Sequence, residues 1–213
     1  MIFFDIETGP LSSAELKERV PVFEPRKGLK DPVKIKMDIE VKRASWHEKA
    51  TLNAYTSKVW SIGYGVDAEP IEIDHHGADP APEMESQMLD RFFALANDGA
   101  HQICGFNIYG FDIPFLMRRA YSLGVKVPPA LRQRKFWHDR FVDLMDCWVL
   151  GTFRSEPQNR ISLGGFAKHL GLNGKTGHGS QFWQTYISDQ PAALEYAERD
   201  VELLREIWAK IGN

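Results

Sequence analysis

The sequence predicts an α/β domain in which a mixed central β-sheet is flanked by helices. Three observations point there. Apolar runs rich in β-formers open the chain, segments with helical apolar spacing fill its second half, and one such segment lies between strands. At 213 residues, one domain spanning 1–213 is the expectation. With 43% hydrophobic and 26% charged residues, a disordered or fibrous chain is excluded. At this length about 70% of the unfolded chain's surface can be buried, so the core needs no staples. Lysine plus arginine total 26 and aspartate plus glutamate 29, a net −3 that excludes a general basic field and leaves local basic patches. Two cysteines, Cys104 and Cys147, are too few for a disulfide framework and fit a reducing compartment. No targeting segment or membrane-length apolar run is visible, so a cytoplasmic protein with no membrane partner is expected.

Met1 to Ile6 is apolar, β-rich and closed by Thr8-Gly9-Pro10, which reads as a buried strand. From Leu11 to Tyr55 the chain turns to mixed charge. There Val33, Ile35, Met37, Ile39 and Val41 alternate with polar residues, which favours a strand. Asp31-Pro32 favours a helix start, and a helix over Pro32 to Leu52 is the preferred reading. Val59–Val66 and Ile71–Ile73 read as strands joined by a turn at Asp67 and Pro70. Met84, Met88, Leu89, Phe92, Leu95 and Ala96 keep helical spacing up to the stop at Gly99. Gln102–Phe106 is a further short strand, and Ile113–Leu123 a helix stopped by Gly124. Val127–Arg140, rich in prolines, aromatics and basic residues, reads as an irregular surface excursion. Leu163–Leu170 is a short helix before Gly171, and the last helix runs from about Pro191 to Ile211. Its core stripe is Leu194, Ala197, Val201, Leu204, Trp208 and Ile211.

Three groups of acids stand out along this frame. Asp5 and Glu7, two apart on a strand, leave the same face of the sheet. Their repulsion and desolvation are relieved by a divalent cation with a taste for hard oxygen ligands; solvated acids at a strand end are the plainer reading. Asp112 follows the strand Gln102–Phe106 and precedes Ile113-Pro114. It is either a helix N-cap or part of a site, and Gly105, Phe106, Asn107, Tyr109, Gly110 and Phe111 before it look like a ligand loop at a strand's C-terminal end. Tyr196 and Asp200, four apart on the last helix, share a face beside the core stripe, where an aspartate needs a partner.

As a set, Asp-x-Glu on the first strand, Asn-x3-Phe-Asp in mid-chain and Tyr-x3-Asp on the last helix resemble the DEDD superfamily of 3′–5′ exonucleases. Tyrosine in the third motif is similar to the tyrosine subgroup, since Glu195 stands where the histidine subgroup has its histidine. Phe4-Asp5-Ile6-Glu7-Thr8, Phe141-Val142-Asp143-Leu144, and Ser162-Leu163 with Leu170-Gly171-Leu172 and Lys175 further resemble the exonuclease domain of family B DNA polymerases and its stand-alone relatives. The resemblance implies a ribonuclease-H-like fold, with the charged segment at about 11–55 as an insert. It implies a two-metal-ion mechanism with magnesium or manganese, the ions about 3.5–4 Å apart. Asp5 would bridge both ions, Glu7 and Asp200 would hold the ion carrying the attacking water, and Asp112 would complete the second ion's shell. Glu7 and Tyr196 would orient the nucleophile, tyrosine serving as a positioner rather than a base because its pKa is ~10.

Substrate contacts would come from Asn107, with Phe106, Phe111 and Thr8 beside it. The implied activity is a 3′–5′ exonuclease releasing nucleoside 5′-monophosphates from single-stranded DNA or frayed 3′ ends, with a replication or repair partner. An exoribonuclease trimming RNA ends and a non-catalytic end-binding module are the alternatives. Seven basic residues against one acid between Arg118 and Arg140, and ten against six between Lys17 and Lys49, offer phosphate contacts or plain solvated faces. His75-His76 lacks a third ligand at zinc spacing, and Gly174–Gly179 lacks the full phosphate-loop pattern, although Lys175 and His178 could line a loop near the product phosphate.

Overall fold

Apolar residues at alternate positions of the first strand serve both faces of the sheet, and everything else is arranged around that strand. The computed structural model describes residues 1–75, 77, 82–132, 140–150, 159–175, 179 and 182–212. Its strands are β1 (Ile2–Pro10), β2 (Ser57–Val66), β3 (Glu72–His75), β4 (Ile103–Gly105) and β5 (Phe141–Asp143). They form one sheet in the order β3-β2-β1-β4-β5. β1 pairs antiparallel with β2, and β2 with β3, while β1, β4 and β5 run parallel. The helices are α1 (Ser13–Lys17), α2 (Pro32–Ala50), α3 (Pro82–Ala96), α4 (Asp112–Leu123), α5 (Pro129–Arg132), α6 (Leu144–Val149), α7 (Leu163–His169), α8 (Phe182–Ser188) and α9 (Gln190–Ile211).

Ile2, Phe4 and Ile6 of β1 pack into the core shared with α3 and α4. Phe3 packs on the other face, with Leu163, Phe166, Val201, Leu204 and Ile207 of α7 and α9. The two-residue period therefore sends Asp5 and Glu7 toward α9 as well. Asp5 stands opposite Gly63 of β2, where a side chain would meet Val201 Cγ2 at 2.9 Å. The missing side chain lets α9 lie close against the sheet beside Asp5. Gly124, with φ +71°, ends α4 in the left-handed conformation expected of it.

The alternating pattern at 33–42 resolves as helix, because Asp31 caps α2 by accepting from Val33 N at 2.9 Å. Val33, Met37 and Val41 recur every four residues on its outer side, and α2 buries only Asp38 and Ala50. The 127–140 segment is no pure surface excursion: Val127 and Leu131 are buried and α5 forms there, whereas 133–139 lie outside the described residues. β5, α1, α6 and α8 were not anticipated, being short elements whose stability comes from packing rather than periodicity. No helix among the described residues is long and apolar enough to cross a membrane.

Candidate active site

The chain's two ends supply the centre of the site. β1 delivers Asp5 and Glu7, a bulge between Glu7 and Thr8 turns the strand's end, and α9 delivers Tyr196 and Asp200. One carboxylate oxygen each from Asp5, Glu7 and Asp200 lie within 4.8 Å of one another. Glu7 and Asp200 are buried, and Asp5 keeps part of its surface on a cavity. Three acids this close are not balanced by the protein alone. Lys175 Nζ ion-pairs with Asp200 Oδ2 at 2.5 Å and donates to Tyr196 Oη at 3.1 Å, while Asp200 Oδ1 has no donor among the described residues.

The electrostatics follow from burial first and crowding second. Loss of water raises the Asp5 carboxyl to about 7, with Lys175 opposing the rise and Asp200 adding to it. Burial also pushes Glu7 well up, and Asp5 and Asp200 push it further. Asp200 rises through burial despite Lys175 beside it. Burial works against the Lys175 ammonium, but Asp5 and Asp200 outweigh it and hold the charge. Burial and the nearby Glu7 carboxylate raise the Tyr196 hydroxyl, so it stays protonated at neutral pH.

Asp112 is the first residue of α4 rather than its cap; Phe111 occupies the cap position without a side-chain bond. Asp112 Oδ1 accepts from Ile6 N at 3.4 Å, which joins α4 to β1, and burial and Asp5 raise its carboxyl. It stands beside Asp5 but outside the tight group of three.

A cavity of about 350 Å³ opens over these acids. Seven of the nine expected residues line it: Asp5, Glu7, Thr8, Phe106, Asn107, Phe111 and Asp112. Tyr196 and Asp200 do not, and Lys175, which does, ties them to it. Thr8 is only 6% exposed and its Oγ1 donates to Thr51 O at 2.7 Å, so that hydroxyl braces the strand's end rather than reaching out.

Asn107 adopts φ +60°, a left-handed value that asparagine tolerates better than most residues, and the loop holds it there. The buried Asp143 carboxylate accepts from Asn107 N at 2.7 Å, Tyr109 N at 3.1 Å and Met145 N at 3.0 Å. One aspartate thus caps α6 and shapes the loop that presents Asn107. Sequence reasoning quoted Asp143 without giving it this task, and it missed Met145, Ile161 and Leu52 on the cavity wall. Their signal was weak, since an apolar residue on a cavity wall looks like any core residue in a sequence.

Among the basic residues expected to follow a strand, Arg119 is buried against Glu85, with Nη2 2.6 Å from Oε2. Arg140 Nη2 donates to Ala96 O at 2.6 Å. Neither is available to a phosphate; Arg134, Lys135, His76 and His178 lie outside the described residues. His75 Nδ1 meets Tyr186 Oη at 2.7 Å.

Hard, crowded oxygens and a buried oxygen without a donor among the described residues are what a divalent cation would satisfy. The residues present fit that group, and Asp5, Glu7 and Asp200 would hold it.

A family model described as a predicted 3′–5′ exonuclease related to the exonuclease domain of PolB matches residues 52–203. That stretch holds Asp112, Lys175, Tyr196 and Asp200, while β1 with Asp5 and Glu7 precedes it. Among curated proteins no sequence matches. The solved structure of the family B DNA polymerase from the hyperthermophilic archaeon Pyrobaculum calidifontis is similar over 98% of this chain, with a TM-score of 0.58 and 19% identity. The chain spans only 24% of that polymerase's length. With the mixed five-stranded sheet, this likeness shows the ribonuclease-H-like fold that the motifs implied.

Proposed function

The chain belongs to the family of predicted 3′–5′ exonucleases related to the exonuclease domain of PolB, and from that premise we propose that it hydrolyses single-stranded DNA from the 3′ end. The observation that carries this reading is the convergence of Asp5, Glu7 and Asp200 within 4.8 Å beneath a cavity that a terminal nucleotide can enter. Water adds across the last phosphodiester bond. Its oxygen bonds to phosphorus, the bond to the upstream 3′-oxygen breaks, that oxygen leaves as a hydroxyl, and a nucleoside 5′-monophosphate is released.

Each residue has a part that its surroundings permit. Asp5, Glu7 and Asp200, with Asp112 beside Asp5, would hold two divalent cations, magnesium or manganese. Those cations, when bound, supply an acidified water and charge neutralisation at the leaving oxygen. Glu7 accepts a hydrogen bond from the attacking water and so aims it. The Tyr196 hydroxyl keeps its proton and orients that water, held in place by the Lys175 ammonium. Lys175 also offsets the excess negative charge, which keeps Asp200 in position while the cavity is empty. Phe106 and Phe111 give the terminal base apolar walls, and Asn107 offers its amide at the mouth of a fixed loop.

The test is a 5′-labelled DNA strand and its RNA counterpart, incubated with magnesium, with manganese or with chelator. Shortening from the 3′ end only in metal, faster for DNA, is the expected result. Faster loss of RNA moves the substrate to RNA, and no shortening of either strand in any metal overturns the assignment.

A further inference from the structure

Next to the cavity, at the C-terminal end of α2, lies a turn that the proposed reaction leaves unused. Residues 51–56 are pinned from within. Thr8 Oγ1 donates to Thr51 O at 2.7 Å, Thr56 Oγ1 to Ala50 O at 2.8 Å, and Ser57 Oγ to Asn53 O at 2.8 Å. Arg119 Nη1 donates to Ala54 O at 3.3 Å, and Asn53 Oδ1 accepts from Tyr55 N at 3.0 Å. Thr51, Ala54 and Thr56 are buried, yet Leu52 is 55% and Tyr55 62% exposed. A rigid turn that holds two large apolar side chains in water gains nothing for folding by doing so.

What surrounds them gives the pair a use. Leu52 lines the same cavity as Asp5 and Asp112. Three residues on, the Arg19 guanidinium lies 4.9 Å from the centre of the Tyr55 ring and donates to Tyr55 O, so ring and charge are fixed together. Lys17 and Lys49 are exposed, as are Glu15, Glu18 and Glu48, so the fixed positive charge beside the ring is that of Arg19. An aromatic face beside a held positive charge takes a base and a phosphate without regard to sequence.

We propose that this turn and Arg19 form a track for single-stranded nucleic acid leading out of the cavity. Leu52 contacts the nucleotide at the mouth, and Tyr55 with Arg19 holds the next base and its phosphate on the 5′ side. The charged segment 11–55 thereby adds strand grip to a protein whose overall charge is −3. The direction of the strand rests on the exonuclease reading; the existence of the track does not.

The experiment is fluorescence anisotropy of a 5′-fluorescein-labelled ten-nucleotide thymidine strand, with calcium as the only divalent cation. Unlabelled dinucleotide and decanucleotide serve as competitors. Tyr55→Ala and Arg19→Gln should each weaken decanucleotide binding by about tenfold, Tyr55→Phe should keep it, and competition by the dinucleotide should weaken far less. Unchanged thermal melting of each variant separates lost grip from lost folding. Tyr55→Ala binding the long strand as wild type does, an equal loss for the dinucleotide, or no wild-type binding at all overturns the track. If Tyr55-dependent binding persists but no strand is ever shortened, the track stands and the catalytic assignment falls. If shortening is intact and Tyr55→Ala binds normally, the reverse holds.

Discussion

Glu85 with Arg119, beneath α3 and α4, and Asp5, Glu7, Asp200 and Lys175, beneath α9, are both buried charged groups, and they are treated in opposite ways. In the first, one carboxylate meets one guanidinium. Glu85 Oε1 accepts from Arg119 Nε at 2.8 Å and from Val59 N at 2.9 Å, and Oε2 accepts from Nη2 at 2.6 Å. Every charge there has its partner, and the pair ties β2, α3 and α4 together. In the second, three carboxylates share the Lys175 ammonium, and Asp200 Oδ1 has no donor among the described residues. Nothing about folding requires that imbalance. A balanced buried pair serves the structure; a surplus of buried negative charge under a cavity serves something that arrives from outside.

The largest difference between the two groups should appear on truncation. Asp200→Ala should cut hydrolysis by about a thousandfold or more while leaving the metal-free melting temperature unchanged or higher, because it removes a carboxylate from a crowded set. Glu85→Ala should do the opposite. It strands Arg119 and Val59 N, so it should cost about 3–5 kcal/mol of stability, with hydrolysis retained at temperatures where the protein stays folded. Denaturant melts and strand-shortening assays on both variants check this. A strongly destabilised Asp200→Ala protein, or an inactive but stable Glu85→Ala protein, would erase the distinction.

A smaller effect is expected at Lys175. Lys175→Met removes the ammonium paired with Asp200, so the metal-free protein should lose about 2 kcal/mol above pH 7, and millimolar magnesium should recover it. Thermal melts with and without magnesium measure it. No recovery would mean that Lys175 matters for packing alone.

The smallest effect is one of pH. The Asp5 carboxyl is raised in the folded protein to about 7 from an ordinary 3.8, so the folded state binds the extra proton. Stability from this group is fully present below about pH 4 and is lost as pH rises through about 7. Metal-free Asp5→Asn, neutral at every pH, should therefore melt a few degrees above wild type at pH 8, with the gap closing toward pH 4. A gap that widens on acidification would reverse the sign and count against crowding as the cause.

How much of this was legible in the sequence depended on where each signal came from. Asp5 and Glu7 could be placed on one face because a strand's period is two, and Tyr196 and Asp200 because a helix repeats near four. α2 was legible through Asp31-Pro32, although its alternating residues argued for a strand. Lys175 was visible as one residue of a matching stretch and as a candidate for a loop near the product phosphate, but no local pattern says that its ammonium reaches 2.5 Å from Asp200. Asp143 was equally hidden, because its bonds to Asn107 and Tyr109 cross more than thirty residues of chain. Short elements such as β5 and α6 were missed, as three to six residues carry too little periodicity to read. Arg119 misled, because charge in a sequence does not reveal burial, and its partner Glu85 lies 34 residues away.

The most direct measurement is calorimetric titration of magnesium into metal-free wild type and into Asp200→Asn at pH 7, repeated in two buffers of different ionisation heat. Because Asp5, Glu7 and Asp200 are held up by burial and crowding, cation binding to wild type should release protons, and the variant should bind at least tenfold more weakly with less release. Equal affinity in the two proteins, or binding with no buffer dependence in wild type, would contradict a cation site built from these three carboxylates.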